Sequence, residues 1–198
     1  IDKNSGKILS NELKNKLGDN IRKFALSNKP IIGICNGFQV LVKMGLLPDP
    51  EHFKQSSTLS YNDSNKFECR WVYLKTEKKN NKSLCLWTKD LPEIISLPVA
   101  HGEGKFIADA KILSDIEKNS RVVFRYCGKD GKKQGYPADP NGSLNAIAGI
   151  CNKKGNVFGL MPHPERYVFS LQHPAREGYD GTYGWGKKIF QNAIEYLK

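Results

Sequence analysis

The stretch KPIIGICNGFQVLVKMG, residues 29–45, places a cysteine between two glycines at the point where an apolar run changes its periodicity. Residues 31–34, IIGI, form a short and almost continuous apolar run, which is typical of a strand buried on both faces of a parallel sheet. Residues 36–44 follow with apolar side chains at helical spacing, and Gly45 stands where the end of a helix needs a left-handed residue. This stretch therefore predicts a buried strand that turns sharply into a helix.

The turn between these two elements has the form of a nucleophile elbow, with Cys35 at its centre. Gly33 and Gly37 would remove Cβ atoms that collide across the turn. The start of the helix favours a thiolate, and the backbone N–H of Asn36 would face a developing oxyanion. Alternatively, Cys35 is a small buried residue beside glycines that allow close packing, and these residues alone do not decide between the two hypotheses.

The segment MPHPER, residues 161–166, supplies a candidate partner base for the thiol. In elbow proteins the nucleophile comes early in the chain and the histidine late, and the histidine needs a carboxylate on its other nitrogen. Glu165 lies two residues beyond His163, and prolines stiffen this segment. A lone histidine is more often structural, but this context predicts a triad of Cys35, His163 and Glu165.

The remaining pattern predicts an α/β domain with a mixed sheet. A helix is expected from Ser10, as its N-cap, to Leu26, and an amphipathic helix is expected near the C-terminus. The far strand of an expected hairpin ends on His163. Further strands and the hairpin are predicted at residues 67–74, 83–87, 94–106, 121–127 and 145–163.

Composition limits the class of protein further. The 198 residues suit one domain over 1–198, and the 39% hydrophobic content is enough for a packed core. The chain lacks both the run of about 18 apolar residues of a membrane helix and the apolar core of a signal peptide. The net charge of +11 falls mostly in turn-like stretches without a nucleic-acid recognition motif. Five irregularly spaced cysteines argue against a disulfide framework or a zinc site, so we expect a cytoplasmic protein. From the charge pattern and the absence of a long apolar run, we expect no nucleic-acid partner and no membrane partner.

Two segments, GICNGFQ and MPHPER, resemble the class I glutamine amidotransferases. The stretches FECRWVYL, PVAHGEGKF, YPADPNGS and IFQNAIEYL are similar to the glutaminase subunits of phosphoribosylformylglycinamidine synthases in that family. These matches run from about residue 8 to the C-terminus. The resemblance implies a flavodoxin-like α/β fold, with a mixed, mainly parallel central sheet flanked by helices and a nucleophile elbow.

The resemblance also implies a reaction and its partners. Cys35 would attack the carboxamide of L-glutamine, His163 would move the proton, and Glu165 would orient His163. Ammonia would pass to a large PurL-like synthase subunit, with a small PurS-like subunit, for purine biosynthesis. We expect no cofactor and no metal in this chain, because ATP and Mg would be used by the partner and no GxxxxGK[ST] motif is present.

Other residues acquire candidate roles only from the resemblance. Gln39, one turn beyond the nucleophile, would help to bind glutamine, although an exposed helical glutamine is an equal alternative. His101 and Glu103 match a family segment close to the active site, with a turn role as the alternative. Gly33 and Gly37 would belong to the same substrate-binding surface.

Two departures from the family pattern stand out. The family begins with a strand, a helix and a Gly-rich segment that gives a second oxyanion donor, and we expect this N-terminal region to be missing from residues 1–198. Asp139 also replaces the asparagine that is common in family members. We expect that change to affect only its loop.

Two other functions remain open from the sequence. The chain could be a cysteine hydrolase, or an amidotransferase that serves another synthase. It could instead be a non-catalytic basic binding or scaffold subunit, against which the intact triad argues.

Overall fold

The computed structural model describes residues 5–80, 82–175 and 183–198. Its helices are α1 (Ser5–Leu26), α2 (Asn36–Met44), α3 (Ala110–Lys118) and α4 (Trp185–Tyr196). Its strands are β1 (Ile31–Ile34), β2 (Ser57–Tyr61), β3 (Glu68–Thr76), β4 (Ile94–His101), β5 (Glu103–Ala108), β6 (Val122–Cys127), β7 (Ile147–Cys151) and β8 (Val157–Leu160).

Six of these strands form one sheet in the order β1-β8-β7-β6-β3-β4, and β2 pairs with β5 in a small second sheet. The expected α/β fold with a mixed sheet is confirmed. The expectation of a mainly parallel sheet is wrong for the described strands, because only β1 and β8 pair in parallel. Short connections such as the β7–β8 turn return the chain antiparallel, whereas a parallel pair needs a long crossover.

Several predicted elements are confirmed, namely β1, α2, β3, β6, the β7–β8 hairpin and α4. Gly45 ends α2 in the left-handed conformation, with φ 81°. Ser10 is not an N-cap, since it lies inside α1 and its hydroxyl donates to the Lys7 carbonyl oxygen at 2.8 Å. His163 lies three residues beyond the last residue of β8 rather than on it.

Two predicted strands differ from the structure. Residues 94–106 are divided at Gly102 between β4 and β5, which belong to different sheets. The strand expected at 83–87 is wrong, because Leu86–Thr88 forms a short 3-10 helix. Ser83 bonds to Thr88 Oγ1 at 2.7 Å, and such local side-chain bonds compete with strand pairing.

Apolar side chains are buried on both faces of the large sheet. Phe158 packs in the cluster that includes Ile189 of α4, while its neighbour Val157 packs in the cluster that includes Phe38 of α2. This alternation follows the two-residue period of a strand. Each such side chain stabilises the fold by about 1.5–3 kcal/mol when fully buried.

Helix α2 lies directly on β8, which fixes the position of the turn that precedes the helix. A Cβ atom at Gly159 would collide with the ring of Phe38. The glycine therefore allows the helix to approach the strand closely, and the sequence of β8 helps to position the β1–α2 turn. No helix within the described ranges has both the length and the apolar character needed to span a membrane.

Candidate active site

Cys35 occupies the turn between β1 and α2 in a strained conformation. Its φ of 52° and ψ of −106° are unusual for a residue with a Cβ atom. The N–H of Cys35 donates to the Leu160 carbonyl oxygen at 2.8 Å, which continues the β1–β8 pairing into the turn. The Cys35 carbonyl oxygen accepts from the N–H groups of Phe38 and Gln39, at 3.0 and 3.2 Å, and so begins α2. Hydrogen bonds from both elements therefore hold the strained residue.

The two glycines of the elbow have different steric roles. A Cβ atom at Gly33 would lie 2.6 Å from the Gly37 carbonyl oxygen and 2.6 Å from a methyl group of Leu41. A Cβ atom at Gly37 would have nothing within 4 Å. The expectation that both glycines avoid a collision is therefore correct for Gly33 and wrong for Gly37, whose backbone is the obstacle that Gly33 avoids.

His163 is fixed beside β4 by its backbone and by Glu165. Its N–H donates to the Pro98 carbonyl oxygen at 2.8 Å, and its side chain is buried. Nδ1 of His163 lies 2.5 Å from Oε1 of Glu165. Burial by itself would raise the pKa of Glu165, but the bond and charge of His163 lower it overall. This pair fixes the orientation of the imidazole ring.

Cys35 and the His163 ring interact electrostatically, as the pKa of the histidine indicates. Burial by itself would lower the pKa of His163, but Cys35 and Glu165 together raise this pKa to about 9. Nε2 of His163 has no hydrogen-bond partner among the described residues, so we attribute the effect of Cys35 to its close approach. The Cys35 thiol donates a weak bond, at 3.8 Å, to the Ala100 carbonyl oxygen. The structure thus brings together the three side chains that the sequence predicted as a triad.

A cavity of about 580 Å³ opens beside the thiol. Nε2 of Gln39 donates to the Glu103 carbonyl oxygen at 3.2 Å, which joins α2 to the beginning of β5. Gly33 and Gly37 are not among the residues that form its wall. The predicted site residues that do line this cavity are Cys35, Asn36, Gln39, His101 and Glu103.

The His101 side chain is held by a buried asparagine that no sequence motif indicated. Nδ1 of His101 lies 3.0 Å from Oδ1 of Asn62, and both side chains are buried. Burial, followed by the charges of His163 and Arg70, lowers the pKa of His101 to about 4. Asn62 lies in none of the motifs used above, and its place five residues before the predicted strand at 67–74 was the only sequence signal for it.

A second buried asparagine supports the other end of the same turn. Nδ2 of Asn141 donates to the Gly104 carbonyl oxygen at 2.9 Å and to the Tyr126 hydroxyl at 3.3 Å. Oδ1 of Asp139 accepts from the N–H groups of Asn141 and Gly142, at 3.2 and 3.0 Å. An asparagine side-chain oxygen can accept the same bonds, which agrees with the expectation that Asp139 affects its own loop.

The described part of the chain contains no group of three or more His, Cys, Asp or Glu residues placed to hold a metal ion. The chemistry that this arrangement can perform is that of a thiol beside a carboxylate-oriented imidazole, at the start of a helix.

Comparison with known proteins gives a consistent set of similarities. Residues 2–197 match the family model of the CobB/CobQ-like glutamine amidotransferase domain. The chain is 44% identical to phosphoribosylformylglycinamidine synthase subunit PurQ of Methanococcus maripaludis strain C7, over 99% of this chain and 76% of that protein. It is 46% identical to the PurQ subunit of Dehalococcoides mccartyi, over 100% of this chain and 75% of that protein. The solved structure of PurLQS from Thermotoga maritima matches with a TM-score of 0.67 and 37% identity, over 92% of this chain and 69% of that chain.

Proposed function

The chain belongs to the CobB/CobQ-like glutamine amidotransferase family, together with the PurQ subunits of phosphoribosylformylglycinamidine synthase, and we propose that it hydrolyses L-glutamine through Cys35, His163 and Glu165. It is the glutaminase subunit that supplies ammonia to this synthase in purine biosynthesis. Two features support the assignment of these residues: Cys35 lies in a strained turn, and Nδ1 of His163 lies 2.5 Å from Oε1 of Glu165.

The first half of the reaction forms a thioester. The Cys35 proton passes to Nε2 of His163, and the thiolate sulfur attacks the carboxamide carbon of glutamine. The first backbone N–H of α2, on Asn36, stabilises the negative oxygen because it lies at the positive end of a helix. The C–N bond then breaks as Nε2 of His163 returns its proton to the nitrogen, which leaves as ammonia.

The second half of the reaction releases glutamate. With the thiolate consumed, the contribution of Cys35 to the raised pKa of His163 disappears, and Nε2 becomes a free base. It takes a proton from the water that attacks the thioester carbon, and the C–S bond breaks to give glutamate and the thiol. The Glu165 carboxylate accepts a hydrogen bond from the Nδ1–H group of His163 throughout the reaction, so that Nε2 always faces the reacting atoms.

We infer that the ammonia is used by a partner. The solved structure from Thermotoga maritima is that of PurLQS, and we propose a large PurL-like subunit and a small PurS-like subunit as partners of this chain. We propose that ATP is then consumed on the large subunit, with Mg as its cofactor there, while this chain supplies only the hydrolysis. Gln39, His101 and Glu103 are proposed to contact glutamine, since all three line the cavity beside the thiol.

The direct test uses the full-length protein together with its synthase subunits and glutamine labelled with ¹⁵N in the carboxamide. We expect one glutamate for each labelled nitrogen that appears in the formylglycinamidine product. Product formation without glutamate release, or with ammonia alone as a source while glutamine is inert, would contradict the proposal.

Glu165→Gln should lower the glutaminase kcat by about 100-fold, because the His163 ring loses the carboxylate that orients it. The pKa of His163 should also fall below its value of about 9, since Glu165 is one of the two groups that raise it. Titration of the ¹⁵N-labelled imidazole by NMR measures this shift, and kcat against pH measures the loss. Glu195→Gln on the exposed face of α4 is the matched control and should change neither.

The same pair predicts a pH dependence of stability. A histidine whose pKa rises from 6.5 to about 9 on folding stabilises the fold fully below pH 6.5, and this contribution disappears as pH rises toward 9. The free energy of unfolding of the Glu165→Gln protein should therefore depend less on pH between 6.5 and 9. An unchanged pH dependence would show that Glu165 does not act on His163 in solution.

A further inference from the structure

The hydrogen bonds of Asn62 fix the protonation state of His101. Nδ2 of Asn62 donates to the His101 carbonyl oxygen at 2.8 Å and to the Lys66 carbonyl oxygen at 2.9 Å. Since two carbonyl oxygens can only accept, the amide nitrogen of Asn62 must face them and its oxygen must face the His101 ring. That oxygen can only accept, so Nδ1 of His101 carries the proton.

The other ring nitrogen of His101 is consequently an acceptor. A neutral imidazole with its proton on Nδ1 has a lone pair on Nε2. This Nε2 atom is buried and has no hydrogen-bond partner within the described residues. A buried acceptor without a partner destabilises the free chain, and His101 lines the cavity, so a ligand in this cavity can supply the missing donor.

The charges around His101 keep it neutral. His163, whose raised pKa favours the imidazolium form, and the guanidinium of Arg70 both oppose a proton on the His101 ring, and burial opposes it more strongly. Glu68, which pairs with Arg70 at 2.6 Å, lies opposite His101 in the β3–β4 pairing but does not offset these effects. The site therefore contains the His163 imidazole, which can donate from Nε2, and the neutral His101 imidazole, whose Nε2 can only accept.

We propose that Nε2 of His101 accepts a hydrogen bond from the carboxamide nitrogen of glutamine and holds this nitrogen as it departs as ammonia. The inference rests on the proposed glutaminase function and names the substrate group that this residue contacts. The carboxamide has N–H groups at one end and an oxygen that only accepts at the other, so a lone pair in the wall selects the end that leaves. The Nε2 atoms of both histidines are buried in the free chain, and His101, but not His163, lines the cavity beside the thiol.

The proton balance agrees with this role. His163 gives the proton that converts the leaving nitrogen to ammonia, and His101 contributes only its lone pair. A neutral His101 has no exchangeable proton on Nε2 to give, so the product remains NH₃ rather than ammonium while it is held. NH₃ is the form with a lone pair, which a synthase needs for nucleophilic attack.

The test compares an amide with an ester in the complete complex with its synthase subunits. His101→Asn keeps a donor near the Nδ1 position for Asn62 and removes the Nε2 acceptor. We expect kcat/KM for L-glutamine to fall by about 10- to 100-fold, the effect of leaving one such donor unpaired. For L-glutamate γ-methyl ester, whose leaving group has no N–H before protonation, we expect a fall of less than about threefold.

Equal losses of kcat/KM for the amide and the ester would overturn the inference. They would show that His101 acts in thioester hydrolysis, which both substrates share, or in folding. Wild-type protein that hydrolyses neither substrate would instead refute the proposed function.

A second measurement needs no His101 variant. In Cys35→Ala protein, ¹⁵N NMR should show a proton on Nδ1 and none on Nε2 of His101 at pH 7, with the Nε2 resonance shifting when glutamine binds. A proton on Nε2, or no shift with glutamine bound, would also overturn it.

Discussion

Cys35→Ala should reduce glutamine hydrolysis by at least about 10³-fold, because the covalent route requires the thiolate and no other group in the cavity replaces it. The described lining of the cavity contains no second cysteine, serine or threonine beside the thiol. Alanine fits the space that the cysteine leaves, so the turn should keep its structure. Glutamate release, measured with the synthase subunits present, gives the size of the loss.

A covalent probe separates loss of the nucleophile from loss of structure. The glutamine analogue 6-diazo-5-oxonorleucine should add once to the wild-type chain, at Cys35, as measured by intact mass and peptide mapping. Cys69→Ala is the matched control, since Cys69 is an exposed free cysteine outside the site, and that protein should be labelled like the wild type. An adduct that persists in Cys35→Ala protein, or turnover that survives this substitution, would remove Cys35 from the mechanism.

The parts of the site that the sequence predicted are those that depend on local chain geometry. A glycine two residues before the nucleophile, an apolar strand and a following helix are all encoded within residues 31–45. His163 and Glu165 are only two residues apart, so the conformation of one short segment brings them together. Local patterns of this kind determine both the strained turn and the oriented base.

The parts that the sequence did not predict depend on contacts between distant segments. Asn62 lies 39 residues before His101, and Asn141 lies 37 residues after Gly104. Either asparagine, taken alone, is indistinguishable from a turn residue, because asparagine is common in turns. The expectation of a mainly parallel sheet came from the family resemblance. The apolar run at 31–34 does belong to a strand that pairs in parallel, but it does not determine the direction of the other strands.

Gly33→Ala should destabilise the fold by about 3 kcal/mol, because its Cβ atom would meet main-chain atoms that cannot rotate away. The new atom would lie 2.6 Å from the Gly37 carbonyl oxygen and 2.7 Å from its carbon. Relieving this contact requires β1 and α2 to move apart, which also displaces Cys35 from His163. Glutamine hydrolysis should therefore fall together with stability.

Gly37→Ala is the matched comparison, because it makes the same chemical change four residues away in the same turn. Its Cβ atom would enter open space, and alanine is favoured over glycine inside a helix by about 1 kcal/mol. Chemical denaturation should therefore show a less stable Gly33→Ala protein and a Gly37→Ala protein at least as stable as the wild type. If the two substitutions changed the free energy of unfolding equally, the close approach of strand and helix at Gly33 would not be what holds the nucleophile. Opposite effects would place that constraint at Gly33, two residues before the thiol.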